Sequence, residues 1–204
     1  MLRRDDRLLG VVKAFARIAL SLFYRIEIEG QDRLPPEDAF VLLPKHQRWQ
    51  DIPIIALAAP RPLYYVAKHD LFTNPLTRWF LGSLGGIPLN RHEPIKSRES
   101  IRAVMAALKS GEGVVVFPEG TYYVNRMGSG KPGLVRLIIG RAAAPLIPAG
   151  LRYREGKGKT AVHVSFGTPI YPDASGPGRS VLDRVMKEIA ALSGLGEKRG
   201  NGVR

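Results

Sequence analysis

His46 and Asp51 are the residues whose types and spacing point most directly to chemistry. A neutral imidazole can remove a proton from a hydroxyl, and a carboxylate beside it can fix the tautomer that does so. Residues five apart on a continuous helix are turned by about 500°, so their side chains diverge by roughly 140°. The two can meet only if His46 lies in a loop and Asp51 in the first turn of the following helix. The alternative is a histidine that is merely part of a polar surface.

The flanking sequence predicts that loop and that helix. Phe40–Leu43 is a short apolar run typical of a buried strand, and Pro44 ends it. Ile52–Ala59 has the composition and length of a helix. The stretch that carries His46 and Asp51 therefore joins a buried strand to a helix.

Two further charged residues follow predicted strands. Arg91 ends the segment Gly85–Arg91, and Glu119 follows Gly113–Phe117, which has the strongest buried-strand pattern in the chain. The carboxyl ends of parallel strands meet at one edge of a sheet, where ligands bind in α/β folds. We therefore expect His46, Arg91 and Glu119 to lie along one rim.

Strand-like and helix-like segments alternate along the chain. This pattern predicts an α/β fold: a single domain with a mostly parallel mixed sheet flanked by helices, preceded by an N-terminal amphipathic helix. We divide the chain into that helix (1–25), a main domain (26–193) and a flexible tail (194–204). The predicted helices of the main domain include residues 52–59, 69–84, 97–109, 134–143 and 181–192.

Residues 2–25 place apolar side chains on one broad arc and basic side chains on the other. A Leu- and Phe-rich face beside a basic face is typical of a helix that lies in a membrane interface. Such a helix can also pack its apolar side on its own domain, and periodicity alone does not separate the two. The apolar positions are Leu8, Leu9, Val11, Val12, Phe15, Ile18, Ala19, Leu22 and Phe23.

Composition narrows the classes of partner and cofactor. The formal net charge is +13, which favours an anionic partner such as nucleic acid, an anionic membrane surface or a phosphorylated small molecule. The chain has no cysteine, which excludes disulfides, thiolate nucleophiles and cysteine-ligated metals. The four histidines lack ligand spacing, so we expect no metal. No apolar run approaches the ~20 residues that span a bilayer, and we expect no cleavable signal peptide.

Four short blocks resemble the motifs of glycerolipid acyltransferases of the 1-acylglycerol-3-phosphate acyltransferase (PlsC-like) type. His46 to Asp51 resembles their H-x-x-x-x-D block, and Gly86–Arg91 is similar to their second block of a glycine, apolar residues and an arginine. Phe117–Thr121 reads F-P-E-G-T, as in the third block, and Leu146–Ala149 is similar to the apolar-proline block that closes the set. The order of the four blocks and the distances between them agree with the family pattern over residues 40–150.

The resemblance implies an O-acyltransferase that moves a fatty acyl group from acyl-CoA or acyl-ACP to the free hydroxyl of a lysophospholipid. The first expected acceptor is 1-acylglycerol-3-phosphate, which would give phosphatidic acid. It also implies that residues 26–193 are the acyltransferase domain, bound peripherally at the cytoplasmic face of an anionic membrane. No cofactor beyond the acyl donor is implied. The implied roles are general base for His46, orienting partner for Asp51, and acceptor binding for Arg91, Glu119, Gly120, Thr121 and Lys131.

Departures from the family pattern leave the acceptor open. The family usually has an asparagine before the histidine, where this chain has Lys45, and a small or hydroxyl residue two positions after it, where this chain has Arg48. The arginine that commonly follows F-P-E-G-T is Tyr122 here, which removes one phosphate-binding cation. Arg126 or Arg48 could replace it. Acylation of another lyso-lipid, such as an amino-acid-containing one, is therefore an alternative.

Three other classes of function are alternatives to an acyltransferase. A nucleic-acid-binding module would explain the charge, but the basic residues are scattered and no known motif accompanies them. A non-catalytic basic membrane-binding protein would keep the N-terminal helix and tolerate the loss of His46. A thioesterase would use water in place of the acceptor. Basic residues near anionic lipid contribute about 1 kcal/mol each, so a membrane surface is sufficient to explain the charge.

Overall fold

The computed structural model describes residues 4–90, 94–133, 144–156, 158–172 and 178–196, without the side chains of 94–97 and 178–179. The strands are β1 (Tyr24–Glu29), β2 (Phe40–Pro44), β3 (Leu63–Lys68), β4 (Gly86–Leu89), β5 (Gly113–Val115), β6 (Leu146–Arg154) and β7 (Thr160–Phe166). The α-helices of the described residues are α1 (Asp6–Phe23), α2 (Asp51–Ala58), α3 (Pro75–Ser83), α4 (Pro94–Lys109) and α5 (Gly178–Leu192). Two short 3₁₀ turns span Gln31–Arg33 and His69–Phe72.

The seven strands form one sheet in the order β1-β7-β6-β2-β5-β3-β4. Every neighbouring pair is parallel except β6 and β7, which are antiparallel. The predicted fold class, a mostly parallel mixed sheet with helices and an N-terminal amphipathic helix, is therefore confirmed. Strands β2 to β6 share a direction, so their carboxyl ends lie at one edge, and β1 begins at that edge.

Both faces of the sheet are covered, which is why the central strands read as continuous apolar runs. Val41 and Leu43 of β2 belong to the core cluster that includes side chains of α4 and α5. Phe40 and Leu42 belong to the opposite cluster, which includes side chains of α1 and α2. All four have no exposed surface.

Helix α1 confirms the predicted amphipathic helix with shorter ends. It begins after Asp5, whose Oδ1 accepts hydrogen bonds from the backbone N–H groups of Arg7 and Leu8 at 3.0 and 3.1 Å. Such a cap satisfies donors that the first helical turn leaves free. Of the predicted apolar arc only Leu9 is buried, together with Leu20. The arc is therefore divided between the core and the surface.

Two predicted elements differ from the structure. The helix predicted over residues 69–84 is a 3₁₀ turn followed by α3, because Asn74 caps a new start at Leu76 N and Pro75 takes the first helical position. The strand predicted to Phe117 ends at Val115. The helix predicted over residues 134–143 lies outside the described residues, as does the predicted tail beyond Gly196.

Candidate active site

His46 and Asp51 meet as their spacing predicts. His46 follows β2 in a loop, and Asp51 is the first residue of α2. The imidazole Nδ1 lies 3.1 Å from Asp51 Oδ2. The side chain of His46 is 9% exposed and that of Asp51 is fully buried. The structure therefore confirms that the two form a hydrogen-bonded pair at the carboxyl edge of the sheet.

The Asp51 carboxylate is held by four donors. Its Oδ2 accepts the backbone N–H groups of Gln47 and Arg48 at 2.5 and 2.8 Å, in addition to the His46 ring. Its Oδ1 accepts the Tyr153 hydroxyl at 2.5 Å. Burial, and then the Asp51 charge, raise the pKa of Tyr153, so it remains a phenol that can donate. Because an ionised carboxylate only accepts, a neutral imidazole in this contact carries its proton on Nδ1 and its lone pair on Nε2.

Two aromatic rings fix the orientation of the His46 imidazole. Phe117 stacks on it with ring centroids 3.8 Å apart, and Tyr122 meets it edge-on at 4.3 Å. Among the described residues, no hydrogen bond reaches Nε2 of His46. That nitrogen is therefore the one left for a substrate hydroxyl.

Lys45 and Glu119 form a fully buried ion pair behind His46. The Lys45 ammonium donates to both Glu119 carboxylate oxygens at 2.7 and 2.9 Å and to the Tyr123 carbonyl at 2.9 Å. Glu119 also accepts the backbone N–H groups of His46 at 3.1 Å and Gly128 at 2.6 Å. Burial lowers the pKa of Lys45, and the contact with Glu119 opposes that shift. The pair ties the end of β2 to the loop that follows β5.

The expectation that Glu119 helps to bind the acceptor stays a prediction, and its burial limits how the residue could do so. The residue has no accessible surface, and its carboxylate accepts hydrogen bonds from Lys45 and from the backbone N–H groups of His46 and Gly128. In this arrangement the Glu119 carboxylate positions Lys45 and the two loops that it joins. The predicted rim is correct in one respect, because Glu119 and His46 do lie at the same edge of the sheet.

Three of the other predicted binding residues lie on the same loop after β5. Gly120 closes the turn after β5 with φ of 71°, a conformation that favours glycine, and donates its N–H to the Phe117 carbonyl at 3.1 Å. Thr121 and Lys131 are exposed. Arg91 lies outside the described residues, one position after Asn90. Their binding roles stay predictions.

Sequence reasoning missed three residues of this site. Lys45 has one sequence signal that could have identified it, because it places a charge at the end of the apolar run Phe40–Pro44. Gln47 accepts the backbone N–H of Asn125 and donates to the carbonyl of Leu151, both at 2.7 Å. Tyr153 lies 102 positions from Asp51 and has no local signal. All three are brought in by strands that pair across the sheet.

A cavity of about 730 Å³ lies elsewhere, between α3, α4 and β4. His46 and Asp51 do not line it. Within the described ranges, no group of three or more metal-ligating side chains comes together. Lining residues of the cavity include Tyr64, His69, Arg78, Asn90, Glu99 and Arg102.

Known proteins share this sequence pattern. The sequence profile of the family described as Acyltransferase matches residues 25–152. The chloroplast 1-acyl-sn-glycerol-3-phosphate acyltransferase LPAT1 of Arabidopsis thaliana is 33% identical over 140 residues, covering 67% of this chain and 39% of that protein. The 1-acyl-sn-glycerol-3-phosphate acyltransferase of Streptococcus pneumoniae is 30% identical over 147 residues, covering 68% and 53%. This chain thus spans only about two fifths to half of these relatives.

Two further comparisons cover a larger share of the matched protein. The 1-acyl-sn-glycerol-3-phosphate acyltransferase of Bacillus subtilis is 27% identical over 164 residues, covering 76% of this chain and 78% of that protein. The crystal structure of the 1-acyl-sn-glycerophosphate (LPA) acyltransferase PlsC from Thermotoga maritima superposes with a TM-score of 0.73 at 23% identity, covering 100% of this chain and 86% of that one. That likeness concerns the fold. A family profile that spans more than half of the sequence shows that this chain belongs to the acyltransferase family.

Proposed function

We propose that this protein transfers a fatty acyl group from an acyl thioester to the free hydroxyl of a lysophospholipid. The observation that carries the proposal is the His46–Asp51 pair, with Nδ1 bound to the carboxylate and Nε2 free of protein partners among the described residues. The first acceptor to test is 1-acylglycerol-3-phosphate, because the curated relatives bear its name.

In the proposed reaction His46 acts as a general base. Its Nε2 takes the proton of the acceptor hydroxyl while that oxygen attacks the thioester carbonyl carbon. The tetrahedral intermediate collapses with cleavage of the carbon–sulfur bond, and the leaving thiolate takes the proton back from His46. The products are an ester and a free thiol. Asp51 stabilises the imidazolium in between and, with Phe117 and Tyr122, keeps the ring in place.

One observation favours a second acceptor class. Tyr122 packs edge-on against the base, where the family pattern commonly has an arginine. A ring there supplies no charge for a phosphate. An acceptor with a different head group, such as an amino-acid-containing lyso-lipid, would not need that cation. The expected binding residues are the same in either case: Arg91, Glu119, Gly120, Thr121 and Lys131.

A panel assay tests the proposed function. The purified chain is incubated with acyl-CoA or acyl-ACP and one acceptor at a time: 1-acylglycerol-3-phosphate, other lysophospholipids, an amino-acid-containing lyso-lipid, or none. We expect the diacyl product of one lyso-lipid by mass spectrometry, at a rate well above release of free fatty acid. Release of free acid alone would identify a thioesterase, and no reaction with any pair would leave a membrane-binding protein.

We also propose that α1 lies in the membrane interface. Val11, Phe15, Ile18 and Leu22 recur at helical spacing and are 64–73% exposed. No helix within the described ranges is long and apolar enough to cross a membrane. At the carboxyl end of α1, the ring of Tyr24 lies 6.4 Å from that of Tyr153, which binds Asp51. A helix seated in lipid would therefore bring the base close to an acceptor held in the membrane.

Phe15→Glu should weaken vesicle binding about 10-fold or more, because burying a phenylalanine in an apolar phase is worth about 1.5–3 kcal/mol. Co-sedimentation with vesicles containing anionic lipid measures the effect. Phe15→Leu is the matched control and should bind nearly as the parent does. Equal binding of the two variants would contradict the interfacial placement.

A further inference from the structure

Arg48 is tied to the base from two directions. Its backbone N–H donates to Asp51 Oδ2 at 2.8 Å, and its guanidinium carbon lies 4.6 Å from the centroid of the Tyr153 ring. Tyr153 in turn donates its hydroxyl to Asp51 Oδ1. A guanidinium on an aromatic face is held by charge–quadrupole attraction and by stacking. The cation is therefore placed beside the His46–Asp51 pair and is oriented before any ligand arrives.

The hydrogen-bonding capacity of Arg48 is nearly unused. A guanidinium has five N–H donors, and in the described part of the chain only one contact is recorded, 3.5 Å to Glu155 Oε1. The Glu155 side chain is 80% exposed, whereas that of Arg48 is 27% exposed. An exposed ion pair at that distance contributes little. Arg48 is thus partly buried and fixed, with most of its donors available.

A comparison with two other cations near the site, Lys45 and Arg126, leads to the same conclusion. The ammonium of Lys45 is buried and paired with Glu119, so it cannot reach a ligand. The guanidinium of Arg126 lies over the Tyr123 ring at 5.2 Å, but that residue is exposed. Among these three cations, Arg48 alone combines an ordered position at the base with free donors.

We infer that Arg48, held against the ring of Tyr153, binds the phosphate of the acceptor. This rests on the proposed acyl transfer and names how the acceptor is recognised. Guanidinium and phosphate form two parallel charge-assisted hydrogen bonds, which also set the orientation of the phosphate. With its phosphate on Arg48, the acceptor is anchored on the side of the His46–Asp51 pair where Tyr153 lies. Tyr153 is a positioning residue with two parts: its ring holds Arg48 and its hydroxyl holds Asp51. It lies one position beyond the region that the family profile matches.

The first test is Arg48→Ala, assayed with 1-acylglycerol-3-phosphate. The KM for this acceptor should rise about 10- to 100-fold, as for a lost hydrogen bond to a charged group. The kcat should change much less, because the backbone N–H to Asp51 remains. With monoacylglycerol, which lacks the phosphate, parent and variant should have the same KM. Arg126→Ala tests the other cation that lies over a tyrosine ring, and a rise in the acceptor KM for Arg126→Ala but not for Arg48→Ala would overturn the inference.

Substitutions of Tyr153 separate its two parts. Tyr153→Phe keeps the ring beneath Arg48 and removes the hydroxyl, so kcat should fall about 10-fold while the acceptor KM stays the same. Tyr153→Leu removes both, so kcat should fall and KM should rise. A purely structural role would give the two variants the same pattern.

Binding without turnover distinguishes this inference from the proposed function. Calorimetry measures binding to two proteins, the His46→Ala variant and the His46→Ala/Arg48→Ala double variant. The ligands are 1-acylglycerol-3-phosphate and glycerol 3-phosphate, which is the head group alone. Loss of binding with Arg48→Ala supports the inference even if no acyl transfer is found. Any of three results would overturn the inference. Binding and the acceptor KM are the same with and without Arg48→Ala, or Arg48→Ala raises the KM for monoacylglycerol equally, or neither phosphate compound binds.

Discussion

Replacement of His46 by alanine should lower kcat about 10²- to 10⁴-fold, the usual contribution of a positioned general base. No other described histidine lies in the site, and Nε2 of His46 is the nitrogen without a protein partner among the described residues. Steady-state rates with the acceptor identified by the panel assay measure the effect. The acceptor KM should change far less, because the proposed phosphate contact does not involve His46.

Two controls separate the loss of a base from damage to the fold. His46→Asn can still donate a hydrogen bond towards Asp51 but cannot take a proton, so it should be nearly as inactive as His46→Ala. His163→Ala should keep full activity, since its ring lies on β7 against Glu29 at 3.1 Å, away from the site. Near-parental activity of His46→Asn, with a normal melting temperature, would remove His46 from the role of base.

Lys45→Met should lower the free energy of unfolding by about 3–5 kcal/mol, because it leaves the Glu119 charge buried without its partner. Both side chains are fully buried, so water cannot compensate. Denaturant titration monitored by circular dichroism measures the loss. Activity should fall as well, since the Lys45–Glu119 pair holds both the His46 backbone and the loop that carries Tyr122.

The double variant and a surface control make this prediction specific. Adding Glu119→Gln removes the unpaired charge and keeps an acceptor for the N–H groups of His46 and Gly128, so part of the lost stability should return. Lys68→Met breaks the exposed pair with Asp70 and should cost at most about 1 kcal/mol. A loss of that small size for Lys45→Met, or no recovery in the double variant, would contradict a structural ion pair.

Local sequence signals were sufficient to predict the contact between His46 and Asp51. The distance from His46 to Asp51 is short, and the change from a buried strand to a helix is legible in the sequence between Phe40 and Ala59. The break between Phe72 and α3 also has a sequence signal, because Asn74-Pro75 is a typical helix start, although apolar periodicity predicts one helix across it. Such errors come from giving apolar periodicity more weight than capping.

The surface of α1 could not be assigned in the same way. Leu9 and Leu20 are buried, whereas Phe15 and Ile18 are exposed, although all four are apolar. Lipid and protein core demand the same periodicity, so the sequence predicts an apolar arc without dividing it. Only the packing of α1 on α2 and β1 makes that division.

The amino-acid sequence by itself determined the alternation of strands and helices, the fold class and the meeting of His46 with Asp51, because each depends on neighbours along the chain. Tertiary structure alone decided that Lys45 neutralises Glu119, 74 positions away, and that Tyr153 binds Asp51 across 102 positions. These contacts arise because β2 pairs with β5 on one side and β6 on the other. Sheet order is set by the packing of the whole domain, and no local spacing encodes which strands become neighbours.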